Sequence, residues 1–185
     1  MGLDIIELIV SFEKYFNIVI PDKEAEKLNT LGEVTRYICQ SLYITAQYDR
    51  VYNTFYAFVR EQLISNDIIP AYFHSEDALH PYIDLSDKLV VQSLSKIIEL
   101  PVEQYKPYNF PFWHKMFTQD SGSISLAHFI ECTAIYNYGE LYESQHFISE
   151  QQVYLAVAML TLDKAGVDIY ELGRDKSFTN DLGMD

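Results

Sequence analysis

The sequence predicts an all-α fold, and two patterns carry that prediction. Apolar residues recur at three- and four-residue spacing in several runs long enough for helices, and nowhere do they alternate over a useful strand length. The chain also has the material for a packed core: 49% of its 185 residues are hydrophobic and 15% are aromatic, among them 15 Tyr and 11 Phe. That length suits one domain of ordinary size or two small ones.

The opening run places Leu3, Ile5, Ile6, Leu8, Ile9, Phe12, Tyr15 and Phe16 on a helical period, with Asp4, Glu7, Glu13 and Lys14 between them. Asn17 to Asp22 reads as an ordered loop: Ile18 and Ile20 point inward, Pro21 blocks continuation, and Asp22 caps a short helix from Lys23 to Leu28. Asn29-Thr30 offers the next cap. The helix that starts near Leu31 has a period that continues through Tyr48, Val51, Phe55 and Val59 as far as Leu63.

From Asp67 to Pro81 the texture is irregular, with two prolines and several His and acidic residues, and a helix from about Ser86 to Glu99 follows, capped near Asp84 or Ser86. Pro101, Pro107 and Pro111 then punctuate a segment rich in aromatics: Tyr105, Tyr108, Phe110, Phe112, Trp113 and Phe117. Such a segment is suited to plug a core. Another helix runs from about Ile124 to Tyr138, after Asp120-Ser121-Gly122-Ser123. Ser149 starts the last one, whose buried face is Val153, Ala156, Val157, Leu160 and Leu162, and Gly166 ends it. In the polar tail from Val167 to Asp185, Ile169, Leu172, Phe178 and Leu182 are the anchors.

Lys and Arg total 13 against 27 Asp and Glu, a formal net charge of −14. A surface of that sign repels phosphate backbones and anionic lipid headgroups, so nucleic acid and membranes are excluded as partners, and basic patches on other proteins are favoured. Two cysteines, Cys39 and Cys132, are too few for a disulfide framework and sit in helical patterns as small hydrophobes, which fits a cytoplasmic protein. No apolar run reaches the length of a membrane span, and acidic residues follow the first Met where a leader peptide would be basic. Met1-Gly2 opens like a myristoylation signal, but Ile6 stands where Ser or Thr is needed.

The unbroken run from Leu3 through Phe12-Glu13-Lys14-Tyr15-Phe16-Asn17-Ile18-Val19-Ile20-Pro21-Asp22 to Asn29-Thr30-Leu31-Gly32-Glu33-Val34 resembles acyl carrier proteins. It is similar to their second helix, the loop ending in Ile-Pro-Asp, the short third helix and the start of the fourth. Gln152 to Ala165, then Val167-Asp168, Ile169, Leu172 and Ser177 to Asp185, is similar to the family's first helix and long loop, up to the Asp of the Asp-Ser-Leu attachment motif.

The resemblance therefore implies an acyl-carrier-like four-helix bundle formed from both chain ends, circularly permuted, with an inserted helical lobe. Its boundaries are 1–44 for the second to fourth carrier helices, 45–148 for the lobe, and 149–185 for the first helix and loop. A connection at the pole where the first and fourth helices begin and end adds little loop entropy. A homodimer exchanging halves, a piece of a longer polypeptide and two truncated tandem modules remain alternatives to a single bundle.

In carriers, a 4'-phosphopantetheine arm on the motif Ser holds the acyl thioester. Here Leu3 matches the motif Leu and Asp185 the motif Asp, but Gly2 falls where the Ser belongs. The resemblance thus implies carrier shape without carrier chemistry at that position. Ser121, Ser123 and Ser125 depart from the motif and suit a helix cap better. Asp4, Glu7, Glu13, Asp22, Glu24 and Glu26 match the positions by which carriers dock on Lys and Arg of their partner enzymes, and Ile5, Ile6, Ile9 and Phe12 match the carrier cleft.

Three functions follow: an acyl-carrier-like protein docking on acyl-transfer, fatty-acid or polyketide-type enzymes; a pseudo-carrier scaffold without the arm; or a central lobe that is itself a small ligand-binding or enzymatic domain. An enzyme would have to use His74, Glu76, Asp77, His80, His114, His128, Cys132 and His146. His128 and Cys132 lie one helical turn apart, yet none of these has a diagnostic metal or catalytic spacing. No metal site and no catalytic role are therefore expected.

Overall fold

The computed structural model describes residues 3–105, 124–142 and 146–184, except for the side chain of Leu3. All regular elements among these residues are helical: α1 (Leu3–Phe16), α2 (Asp22–Ala25), α3 (Leu31–Ser41), α4 (Arg50–Ser65), α5 (Lys88–Ile98), α6 (Leu126–Tyr136), α7 (Tyr138–Leu141) and α8 (Glu150–Ala165), then a 3₁₀ turn at Ile169–Glu171. The expected all-α class is what the structure shows.

Local chemistry explains most boundaries. Thr30 and Glu33 form a reciprocal capping box at the start of α3, the Thr30 hydroxyl accepting from the Glu33 N–H and the Glu33 carboxylate accepting from the Thr30 N–H. Asp49, Asp87, Ser125 and Ser149 cap α4, α5, α6 and α8 in the simpler way, each accepting a backbone N–H with its side chain. Gly166 stops α8 in the left-handed region at φ 62, a conformation glycine adopts without a Cβ clash.

Three boundaries differ from the sequence reading. The helical period from Leu31 to Leu63 is broken: the Ile44 N–H closes on the Cys39 carbonyl at 2.8 Å, Tyr43 turns left-handed, and Asp49 starts a new helix. Periodicity alone misses a break whose flanks share one phase. At α2 the N-cap position belongs to Pro21, and Asp22 is the first helical residue. At α5 the cap is Asp87, while Asp84 accepts from the backbone and hydroxyl of Ser86 in its own turn.

The helix α8 sits at the centre, packed against α1, α3 and α6. The expected one-sided stripe is instead a burial on every side, from Gln152 through Ala158, with Leu160 and Leu162 only half covered. On α1 the facing residues are Ile5, Leu8, Ile9, Phe12 and Phe16, and on α3 Leu31, Val34 and Ile38, all buried. Each such aliphatic side chain contributes about 1.5–3 kcal/mol through its burial.

The tail after Gly166 closes over the start of α3. Ile169, Leu172, Phe178 and Leu182 are buried as anchors, joined by Tyr170 and Met184. Its backbone is stitched to the loop before α3: the Phe178 N–H donates to Asn29 O at 3.0 Å, and the Gly32 N–H donates to Arg174 O at 2.8 Å. The approach at Gly32 leaves no room for a side chain, because a Cβ there would stand 2.8 Å from the Arg174 carbonyl oxygen.

Gly32→Ala therefore pushes the tail off α3 and lowers unfolding stability in urea by about 1–3 kcal/mol. Gly139→Ala, at a helical glycine with nothing within 4 Å of the added Cβ, leaves stability unchanged or raises it. Equal effects of the two substitutions would contradict this account of the tail.

Candidate functional site

The surface that the sequence marks for docking begins on α1. With its core face turned to α8, the opposite side presents Ile6, Glu7, Val10 and Lys14 at helical spacing, with Asp4 at its edge, all exposed. Ile6 is 47% exposed and Val10 37%. Of the expected cleft residues, Ile5, Ile9 and Phe12 belong to the core and only Ile6 faces out. Val10 was not singled out in the sequence, although its position four residues after Ile6 carries the signal.

The remaining acidic candidates fall into different settings. Glu13 is half-buried, and its Oε1 accepts the Ile20 N–H at 2.8 Å, which folds the loop after α1 back onto the helix. Asp22 and Glu26 are exposed at the two ends of α2, and Glu24 pairs with Lys27 at 2.8 Å on the surface. Asp4 and Glu7 thus share a helix with an apolar patch, while Glu13 has a structural task. The matched attachment positions Gly2 and Asp185 lie outside the described residues, as do Ser121, Ser123 and His114. Ser125 takes the capping role, accepting the His128 N–H.

The residues considered for an enzyme are otherwise engaged or dispersed. The His128 ring Nε2 lies 2.9 Å from Tyr170 O, and the Cys132 thiol donates to Ile169 O at 3.4 Å, so this pair fastens the 3₁₀ turn to α6. Asp77 accepts the His74 N–H in a surface turn. No group of three or more His, Cys, Asp or Glu suited to hold a metal occurs among the described residues. Among the same residues no helix is long and apolar enough to cross a membrane.

A buried polar junction escaped the sequence reading. Ser149 Oγ donates to Asp49 Oδ2 at 2.6 Å while accepting the Gln152 N–H, and Asp49 Oδ1 accepts the Tyr52 N–H at 2.8 Å. The caps of α4 and α8 are thereby clasped together, and the Glu150 N–H donation to Ala46 O at 2.8 Å reinforces them. Each cap is legible alone; their bond across the intervening chain is not. A second junction centres on Arg174, whose guanidinium lies 4.1 Å from the Tyr154 ring centroid and bonds Glu150 and Gln151, while the Tyr154 hydroxyl donates to Glu131 at 3.0 Å.

No family model matches the chain, and no solved structure matches it. Among curated relatives, the acyl carrier protein of Wolinella succinogenes is 58% identical over 37 residues, which cover 20% of this chain and 49% of that protein. The acyl carrier protein of Helicobacter pylori (strain J99) is 53% identical over 37 residues, 20% of this chain and 47% of its own. Part of this chain is acyl-carrier-like. The chain spans about half the length of the curated relatives it matches.

Burial raises the pKa of several thiols and phenols among the described residues. The Cys39 thiol is pushed up to about 11, chiefly by burial and then by Glu150, and Cys132 goes well above its ordinary value for the same first reason. Tyr52, Tyr138, Tyr142, Tyr154 and Tyr170 are all raised, with desolvation the largest cause in each. A folded-state pKa above the unfolded one contributes stability that is complete below the unfolded value and is lost as pH rises through it toward the folded value. Urea unfolding followed from neutral to alkaline pH should therefore show a decline that sets in at about pH 9–10, where unfolded thiols and phenols ionise. A stability that stays level to about pH 11 would contradict the burial of these groups.

Proposed function

We infer that the chain is an acyl-carrier-like protein that docks on acyl-transfer or related biosynthetic enzymes. The observation that carries this reading is the outer face of α1, where Asp4 and Glu7 stand beside exposed Ile6 and Val10. It occurs in a chain that is 53–58% identical to two acyl carrier proteins over 37 residues. Carboxylates flanking a small apolar patch suit a basic partner surface with an apolar centre. In this reading 1–44 and 149–185 make one carrier-like bundle, α8 takes the place of the first carrier helix, and 45–148 form a lobe. The packing of α8 on both α1 and α3 supports it.

A second reading, a scaffold that engages the same enzymes without an arm, is favoured by one residue. A phosphopantetheine arm is joined through a hydroxyl oxygen, and Gly2 has none. The residues present at the matched position do not fit the group, and Ser125 is committed to capping α6.

Intact-mass measurement after incubation with a phosphopantetheinyl transferase and coenzyme A separates the two: an added arm marks a carrier, and an unchanged mass marks the scaffold. Docking itself is tested by binding to a carrier-dependent acyl-transfer enzyme. The double substitution Asp4→Lys, Glu7→Lys weakens the interaction about tenfold at low salt, with a smaller effect at high salt. Glu61→Lys, on α4, leaves it unchanged. Equal binding by all three proteins would remove the α1 face from the interaction.

A further inference from the structure

A groove of about 460 Å³ opens beside α5, far along the chain from the carrier-like helices. Ile83 and Leu94, both nearly fully buried, lie at its base. The helix supplies Leu89, Val90 and Ile97 to the wall, and Ile68 closes the side next to the end of α4. With Val91 and Ile98 buried as well, the apolar surface of α5 continues past Leu94. Leu89 is left 71% exposed. Single exposed leucines are ordinary, but several aliphatic residues gathered around a concavity form a patch that needs an occupant.

The rim carries the chemical information. Asp67 is the one charged side chain among the described residues lining the groove, and no described cation pairs with it. It follows α4 in the left-handed region at φ 56, held there by the Asp67 N–H donation to Ile64 O at 3.0 Å and the Ile68 N–H donation to Leu63 O at 2.9 Å. Glycine or asparagine suits that backbone better. A carboxylate at the carbonyl end of a helix also opposes the helix dipole, which favours a cation there. Conformation and charge are both unfavourable for stability at this residue, and the charge adds to the negative end of the helix dipole at the mouth of an aliphatic groove.

The geometry points to a binding site for an aliphatic ammonium ligand, its alkyl chain along the α5 wall and its protonated amine at Asp67 and the end of α4. The volume falls within the range of small-molecule sites, about 300–1,000 Å³. A chain with a carboxylate head meets like charge at the same place, and a chain with a hydroxyl head gains the wall without the ion pair. The inference stands on the groove alone, so its failure leaves the docking reading of α1 untouched.

Isothermal titration of the full chain with n-octylammonium, n-octanol and octanoate, each below its micelle concentration and at physiological ionic strength, tests it. Octylammonium binds about tenfold more tightly than octanol, and octanoate more weakly than either. Asp67→Asn, which keeps a residue suited to the left-handed backbone, lowers octylammonium to the level of octanol and leaves octanol unchanged. Leu89→Gln weakens all ligands that bind. Octanoate binding as well as octylammonium, or no ligand binding at all, overturns the proposal. A cation preference that survives Asp67→Asn overturns it too, because it would then belong to the overall charge of −14.

Discussion

From Gln152 through Ala158 every residue of α8 is shut off from solvent, so this helix exists only as far as its neighbours cover it. A helix with one wet face can form against a single partner; one without a wet face needs partners all round. Here they are α1 and α3 from the beginning of the chain and α6 from its middle. Their meeting makes the buried residues one continuous cluster. The two polar side chains caught in α8, Gln152 and Thr161, are satisfied locally, Gln152 by the Ile148 N–H and Thr161 by the Val157 carbonyl.

The same constraint orders the outer surface of α1. Because α8 claims the faces of α1 that hold Ile5, Leu8 and Phe12, the residues left outside are Ile6, Glu7 and Val10. The clasp between Asp49 and Ser149 then fixes where α4 leaves the region, with its carboxylate and hydroxyl both withdrawn from water. Buried hydrogen bonds of this kind specify geometry strongly because either partner left alone is costly. Beyond the clasp, the α4 and α5 part of the molecule presents a separate groove of different chemistry.

Much of this was legible in the sequence because it is encoded locally. The α1 period, the Thr30 cap, the Ser149 cap, the Gly166 stop and the four tail anchors each depend on residues a few positions apart. What was not legible depends on distance. The residues from Gln152 to Ala158 look like one amphipathic stripe until a third helix covers the other side. The bonds of His128 and Cys132 to the Tyr170 and Ile169 carbonyls turn a candidate chelating pair into a fastening. On α1 the acidic set read as one group divides once Glu13 is seen closing on Ile20. The similarity to acyl carrier proteins, 37 residues long, supports an acyl-carrier-like region and so reaches part of the resemblance read from the sequence.

Packing of this kind makes α1, α3 and α8 one cooperative unit although they lie far apart in the sequence. Native-state amide hydrogen exchange reads that cooperativity, since residues of one unit lose protection together. The amides of Val153 to Ala158 should be among the slowest to exchange, with the same opening free energy and denaturant dependence as those of Leu8 to Phe12 and Val34 to Ile38. Rapid exchange in α8 while α1 and α3 stay protected would contradict it.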